Sequence, residues 1–280
     1  MKKRLISISL IVLLVISLAS CSSEKYIHEL KTRFEGFSAD SNVIVVLNDS
    51  VFYFADHTLS LSDITDDEEL NNGYLFWDGK LFFTTVKQNG GFDFSLCVYS
   101  CDLYGNNKQV VFEKNGYTTK PWVTGNQETL FVKHYTTSAL DASSRNIDSY
   151  NVVSGEYQTK ASGEDASLSD YQKNQHGRYS CTNENGVYSV YDPQTNVTYT
   201  IETIALVHSA FGEELDGIDL INGHFFATDD GKMFLLYRIE SNGLKYPHLL
   251  CEYLPDRNEV VFKNLCFADD IETFSVVYPK

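Results

Sequence analysis

Nine Asn-Gly or Asp-Gly steps punctuate this chain of 280 residues: Asn-Gly at 72, 89, 115, 185, 222 and 242, and Asp-Gly at 78, 216 and 230. Glycine adopts positive φ at little cost, and Asn and Asp tolerate it better than other side chains. Two-residue hairpin turns demand that conformation. Between these steps lie short runs of β-branched and aromatic residues. They include Val43–Leu47, Val51–Phe54, Leu81–Val86, Thr129–Val132 and Met233–Tyr237. Phe and Tyr number 18 each, which suits half-buried pleated surfaces. The pattern predicts an all-β chain of successive antiparallel hairpins. It argues against an α/β fold, whose parallel strands need helical crossovers. No apolar stripe of helical period persists long enough to predict a substantial helix after residue 42. Ile27, Leu30 and Phe34 have helical spacing, but over a short stretch.

Charge narrows the function classes. The chain carries 22 Lys+Arg against 38 Asp+Glu, a formal net charge of −16. Phosphate backbones require a basic footprint, so nucleic acid is not an expected partner. The 43% apolar content is that of a folded protein.

The first 21 residues carry an address. Lys2, Lys3 and Arg4 precede an apolar run from Leu5 to Leu18, and Leu18-Ala19-Ser20-Cys21 follows. The apolar run is too short for a spanning helix and ends in small residues, as a signal peptide does. The Leu-Ala-Ser-Cys tetrad resembles the lipobox of bacterial lipoproteins. In that family the Cys sulfur receives a diacylglyceryl group with palmitate-type chains, and cleavage falls just before it. The resemblance implies a signal peptide at 1–20, lipid attachment at Cys21, a tether over 21–41 and a folded domain over 42–280. The protein is then expected at the cell envelope, anchored in a membrane and facing away from the cytoplasm. Cleavage would remove three of the bases and no acid, leaving a more acidic body that anionic lipid repels, so the acyl chains must do the anchoring.

Of six cysteines, Cys97, Cys101, Cys181, Cys251 and Cys266 remain after the anchor. An odd number cannot pair completely within one chain. Cys97 and Cys101 share a strand face but lie ~13 Å apart along it, too far to bridge. Neither a CxxC nor a paired Cys/His spacing points to zinc. Buried free thiols are the expectation, with one long-range disulfide as the alternative.

A repeat emerges from alignment of the chain on itself. Cys101-Asp102-Leu103-Tyr104-Gly105-Asn106-Asn107-Lys108-Gln109-Val110-Val111-Phe112 superposes without gaps on 251–262, and Tyr191–Tyr199 follows the same scheme. Tyr150–Tyr157 is a looser copy, and a degenerate first unit is placed at 43–64. The interval of roughly 40–60 residues is that of a four-stranded blade. The stretch Val98-Tyr99-Ser100-Cys101-Asp102-Leu103-Tyr104-Gly105-Asn106-Asn107 resembles the blade signature of TolB-like and related propellers of bacterial extracytoplasmic proteins. That resemblance implies a β-propeller-like domain of about five or six irregular antiparallel blades. A β-sandwich or another multi-hairpin fold is the alternative. The final run, Phe274–Tyr278, is expected to pair with Val43–Leu47 or Val51–Phe54, because a free edge there would invite aggregation. Polar stretches at 136–149 and 159–175 read as surface loops.

Catalytic chemistry is hard to find. There is no Gly-x-Ser-x-Gly, P-loop or GxGxxG, and the seven histidines show neither HExxH nor HxH. Acidic groups at 63–69, 213–219 and 269–272 do not match a calcium loop, and Asp229-Asp230-Gly231 lacks Asp-box spacing. Trp77 and Trp122 stand beside turns and are expected to wedge between sheets; exposed on a rim, either would point to sugar or peptide binding. No catalytic, metal or cofactor residue is assigned, and ligand-binding residues stay open. The expected function is a non-catalytic binding or scaffold module for a protein, peptide or glycan. The alternatives are an extracytoplasmic carbohydrate hydrolase, whose carboxylate pair would be assembled in space, and an envelope folding or assembly factor.

Overall fold

The computed structural model describes residues 25–65, 68–172, 176–240, 246–268, 271 and 273–278. The expected signal peptide over 1–20, Cys21 and part of the acidic groups at 63–69 and 269–272 lie outside these. The chain is all-β, as its turns and runs predict. Among the described residues its strands form five small antiparallel sheets. The chain divides into two compact units.

The first unit, Ser41–Gln175 with Thr273–Lys280, is here termed the closure unit. One sheet holds β1 (Ile44–Leu47), β2 (Val51–Tyr53) and β3 (Thr58–Ser60), completed by β19 (Phe274–Val277) in the order β19-β1-β2-β3. The expected terminal pairing is present, with Ile44 opposite Val277 and Leu47 opposite Phe274. Next come β4 (Glu69–Trp77), β5 (Lys80–Gly90), β6 (Asp93–Asp102) and β7 (Gln109–Tyr117). The third sheet is β8 (Trp122–Asn126), β9 (Thr129–Tyr135), β10 (Arg145–Asn151) and β11 (Tyr157–Ser162). Ile44, Phe52, Leu61, Leu81 and Phe83 fill one core, and Leu96, Val98, Leu130 and Val132 fill another.

The helix-bearing unit combines His176–Glu272 with the chain up to Asp40. Its sheets are β12 (Ser180–Glu184), β13 (Val187–Asp192) and β14 (Val197–Glu202), then β15 (Leu220–Ala227), β16 (Met233–Ile239), β17 (Tyr246–Leu254) and β18 (Glu259–Ala268). Helix α1 occupies 25–33. Its Leu30, together with Phe34 just beyond, is buried with Phe211 and Phe262, so the described part of the expected tether is folded into a core. Helix α2 (Thr203–Phe211) is short, nine residues, and buries Thr203, Val207 and Phe211 at intervals of four. The 136–149 stretch is corrected. Its second half is β10, in which Ile147, Asp148, Ser149 and Tyr150 are buried, and the 159–175 stretch opens with the end of β11.

Among the described residues, two of these steps are two-residue turns with positive φ at both residues, Asp78-Gly79 and Asn185-Gly186; Asn242-Gly243 lies outside them. Asn72-Gly73, Asn115-Gly116 and Asn222-Gly223 sit inside β4, β7 and β15, where the pairing register shifts. They are bulges, which absorb the extra residues and bend the strand. The bend brings β4 against β8. A Cβ on Gly73 would lie 2.3 Å from Val123 Cγ1, and one on Gly125 would lie 1.8 Å from the Tyr74 carbonyl oxygen. Gly125→Ala should therefore destabilise the closure unit by about 1–3 kcal/mol. An unchanged urea midpoint would contradict so close an approach.

The repeat has a physical basis. The matched hairpins are β6–β7 and β17–β18, the third and fourth strands of separate sheets. Cys101 and Cys251 are buried, unbonded, and packed in cores that include the preceding sheet. At the shared position, Asp102 Oδ1 accepts from the Tyr104 and Asn106 amides at 3.0 and 2.8 Å. Asn151 Oδ1 accepts from Val153 and Ser154, and Asp192 Oδ1 from Gln194. These side chains mimic a turn and end the strand. The fourth copy has Glu252, which turns instead to Lys263 at 2.7 Å. Pairing there runs on to Leu254 and Glu259, whereas β6 and β7 part at Ser100 and Gln109. The gapless alignment thus marks equivalent hairpins in different registers.

Candidate functional site

Two groups of functional side chains assemble in the closure unit, and neither was singled out in the sequence. The first is on loops. The β2–β3 turn is closed by the Phe54 amide on the His57 carbonyl at 2.9 Å. It presents His57 to the Asp102-initiated loop between β6 and β7. Three rings stack in order: Phe54 on His57 at 4.2 Å and 5°, and His57 on Tyr104 at 4.2 Å and 16°. His57 is held at both ring nitrogens, Nδ1 2.7 Å from Asp56 Oδ1 and Nε2 2.9 Å from the Leu103 carbonyl. Tyr104 donates its phenol to Asp56 Oδ2 at 3.1 Å. The bonds from His57 and then Tyr104 hold the Asp56 carboxyl below the usual range, and the same bond to Asp56 raises the Tyr104 phenol. Gly105 fits beneath, where a Cβ would meet Leu59 Cδ1 at 2.8 Å. Tyr104 is nevertheless 61% exposed. One face is stacked, so the exposed area is the opposite face and the edges.

The second group is buried. Asp148, 2% exposed on β10, accepts from His134 Nε2 and Thr159 Oγ1 at 2.8 Å each and from the Tyr157 phenol. Lys114 Nζ lies 3.3 Å from the same carboxylate and 2.7 Å from the Tyr157 hydroxyl. Tyr117 and Tyr157 share a hydrogen bond at 3.0 Å. Burial pushes the Asp148 carboxyl up, but the bonds from His134, Tyr157 and Thr159 outweigh it and hold it far below the ordinary range. Burial, followed by the bonds to Asp148 and Tyr117, drives the Tyr157 phenol up. The donors to Asp148 come from β7, β9 and β11, so the carboxylate ties the sheet of β4–β7 to the sheet of β8–β11.

The residues considered from the sequence disperse. Trp77 is partly buried against the core, as expected. Trp122 is 42% exposed, contrary to expectation, with Lys133 Nζ 4.5 Å over its ring. It starts an edge strand whose neighbour covers only one side. The five cysteines after Cys21 are free, and burial raises the Cys97, Cys101 and Cys181 thiols to about 11. Of the acidic groups, Glu68 accepts from Thr85 and Tyr99, and Glu69 pairs with Lys120. Among the described residues, no three His, Cys, Asp or Glu side chains gather as a metal group. Among them also, no helix is long and apolar enough to cross a membrane.

No protein-family model and no curated protein matches the chain. Solved structures similar to it include the endo-arabinase of Bacteroides thetaiotaomicron VPI-5482, at 10% identity and a TM-score of 0.29, covering 83% of this chain and 77% of that one. A subtype N10 neuraminidase-like protein of A/little yellow-shouldered bat/Guatemala/060/2010 is similar at 10% identity and a TM-score of 0.27, with coverage of 71% and 72%.

Proposed function

We propose that the chain is a lipid-anchored extracytoplasmic module that binds or scaffolds a protein, peptide or glycan and performs no catalysis of its own. The observation that carries this reading is the loop stack: an exposed tyrosine held rigid by His57 and Asp56. An exposed side chain normally loses rotamer freedom on binding, and here the stack and the hydrogen bond have already fixed it. Rigid aromatic residues on loops of a firm scaffold are common recognition elements. The saturated donors around Asp148 favour a structural role for that carboxylate over a catalytic one. The anchor is Cys21, on the strength of the Leu18-Ala19-Ser20-Cys21 tetrad. Cys21→Ser should move the protein out of the membrane fraction or leave an unprocessed precursor. Normal processing with full membrane retention would defeat the anchor, and fractionation with mass measurement decides it.

A further inference from the structure

We infer that the outer face of Tyr104 is a stacking platform for a neutral pyranose unit of a glycan. The inference rests on the binding-module reading above and narrows its ligand to one class. The platform is a flat ring at a loop apex, backed by two more rings in register. A sugar ring presents a face of C–H groups that such a surface matches, while its hydroxyls need polar partners at the margin. Those partners stand in the same loops. Asp56 is 65% exposed at the side-chain level and touches the phenol edge. Asn106 follows Tyr104 by two residues and is exposed.

Other ligand classes fit less well. A quaternary ammonium ion is held by rings placed around it, whereas Phe54 and His57 lie behind Tyr104 in one column. An apolar peptide side chain needs a pocket that excludes water, whereas Tyr104 is 61% exposed. Nucleotides bring phosphate to a protein of net charge −16 and to a ring edged by a carboxylate. A neutral sugar pays none of these penalties.

The test uses the full chain in a non-glycosidic detergent, titrated calorimetrically with maltohexaose, cellohexaose and xylohexaose. At least one of the three should bind. Tyr104→Ala should weaken that binding by about tenfold or more. Tyr104→Phe keeps the face, loses only the bond to Asp56, and should bind within about threefold of the parent. Both variants should stay folded, with Tyr104→Ala losing only the modest contribution of its stack on His57. Binding of none of the three sugars, or equal binding by Tyr104→Ala, overturns the platform and leaves the binding module standing if another ligand is found. Cleavage of a bound sugar by the parent, with Tyr104→Ala unable to bind it, supports the platform and overturns the non-catalytic reading.

Discussion

Asp148→Ala is expected to cost the closure unit about 3–5 kcal/mol, the range for removing one partner from a buried charged network. The carboxylate accepts from His134, Tyr157, Thr159 and Lys114. Removing it leaves donors from β7, β9 and β11 facing one another without an acceptor. Two of these are themselves cationic or can become so, and an unmatched buried donor loses its hydration with no return. Urea unfolding followed by tyrosine fluorescence gives the magnitude, and a loss under 1 kcal/mol would show that water replaces the carboxylate. The pH dependence has a definite sign. The folded carboxyl lies below the unfolded value of about 3.9. Its stabilisation is therefore complete above that value and is lost as pH falls toward the folded one. Asp148→Asn should flatten the acid limb of stability below about pH 4.

Ending the chain after Glu272 should have a larger effect still. The deletion removes β19, whose four residues all pair with β1, and with it Phe274 and Val276, 6% and 0% exposed. It also removes the Ser275 hydroxyl bonded to Tyr74 at 2.7 Å and the Thr273 amide bonded to Asn48. Each buried side chain contributes about 1.5–3 kcal/mol and each ladder bond about 1 kcal/mol. The total rivals the 5–15 kcal/mol that holds an ordinary domain together. The closure unit should therefore lose its cooperative transition, and amide protection should fall across all three of its sheets. The core of the helix-bearing unit contains none of the deleted residues and serves as the internal reference. A truncated chain that kept β4–β7 protected while only β1 exchanged would show that the sheets are stable singly.

The hairpins were legible because their signal is local. An Asx residue, a Gly or Asn at positive φ and a flanking β-branched pair sit within a dozen residues, as at 101–112 and 191–199. The terminal pairing was legible for another reason: an apolar run such as Phe274–Tyr278 must find a partner edge somewhere. The Asp148 network was not legible, because its members at 114, 117, 134, 148, 157 and 159 come from four strands and share no spacing. It even concealed its own strand. Asp148 and Ser149 gave β10 the composition of a loop, since buried polar residues look solvated until their partners are known. The stack of Phe54, His57 and Tyr104 was hidden in the same way, with His57 and the Leu103 carbonyl that fixes it 46 positions apart. The nine residues of helix α2 are too few to register as a helical stripe, and Thr203, Ile204 and Val207 are as much at home in a strand.

The join between β1 and β19 also sets a clock. Residues are added to a growing chain at about 5–20 per second. From Leu47, the last residue of β1, to its partner Phe274, synthesis takes roughly ten to fifty seconds at that pace. Throughout that interval the edge of β1 that will meet β19 has no strand beside it. Val45, Val46 and Leu47 lie along it, and exposed apolar edges of this kind recruit other chains. The early strands must therefore be kept apart from their neighbours until the last ones arrive, and slower elongation lengthens the wait.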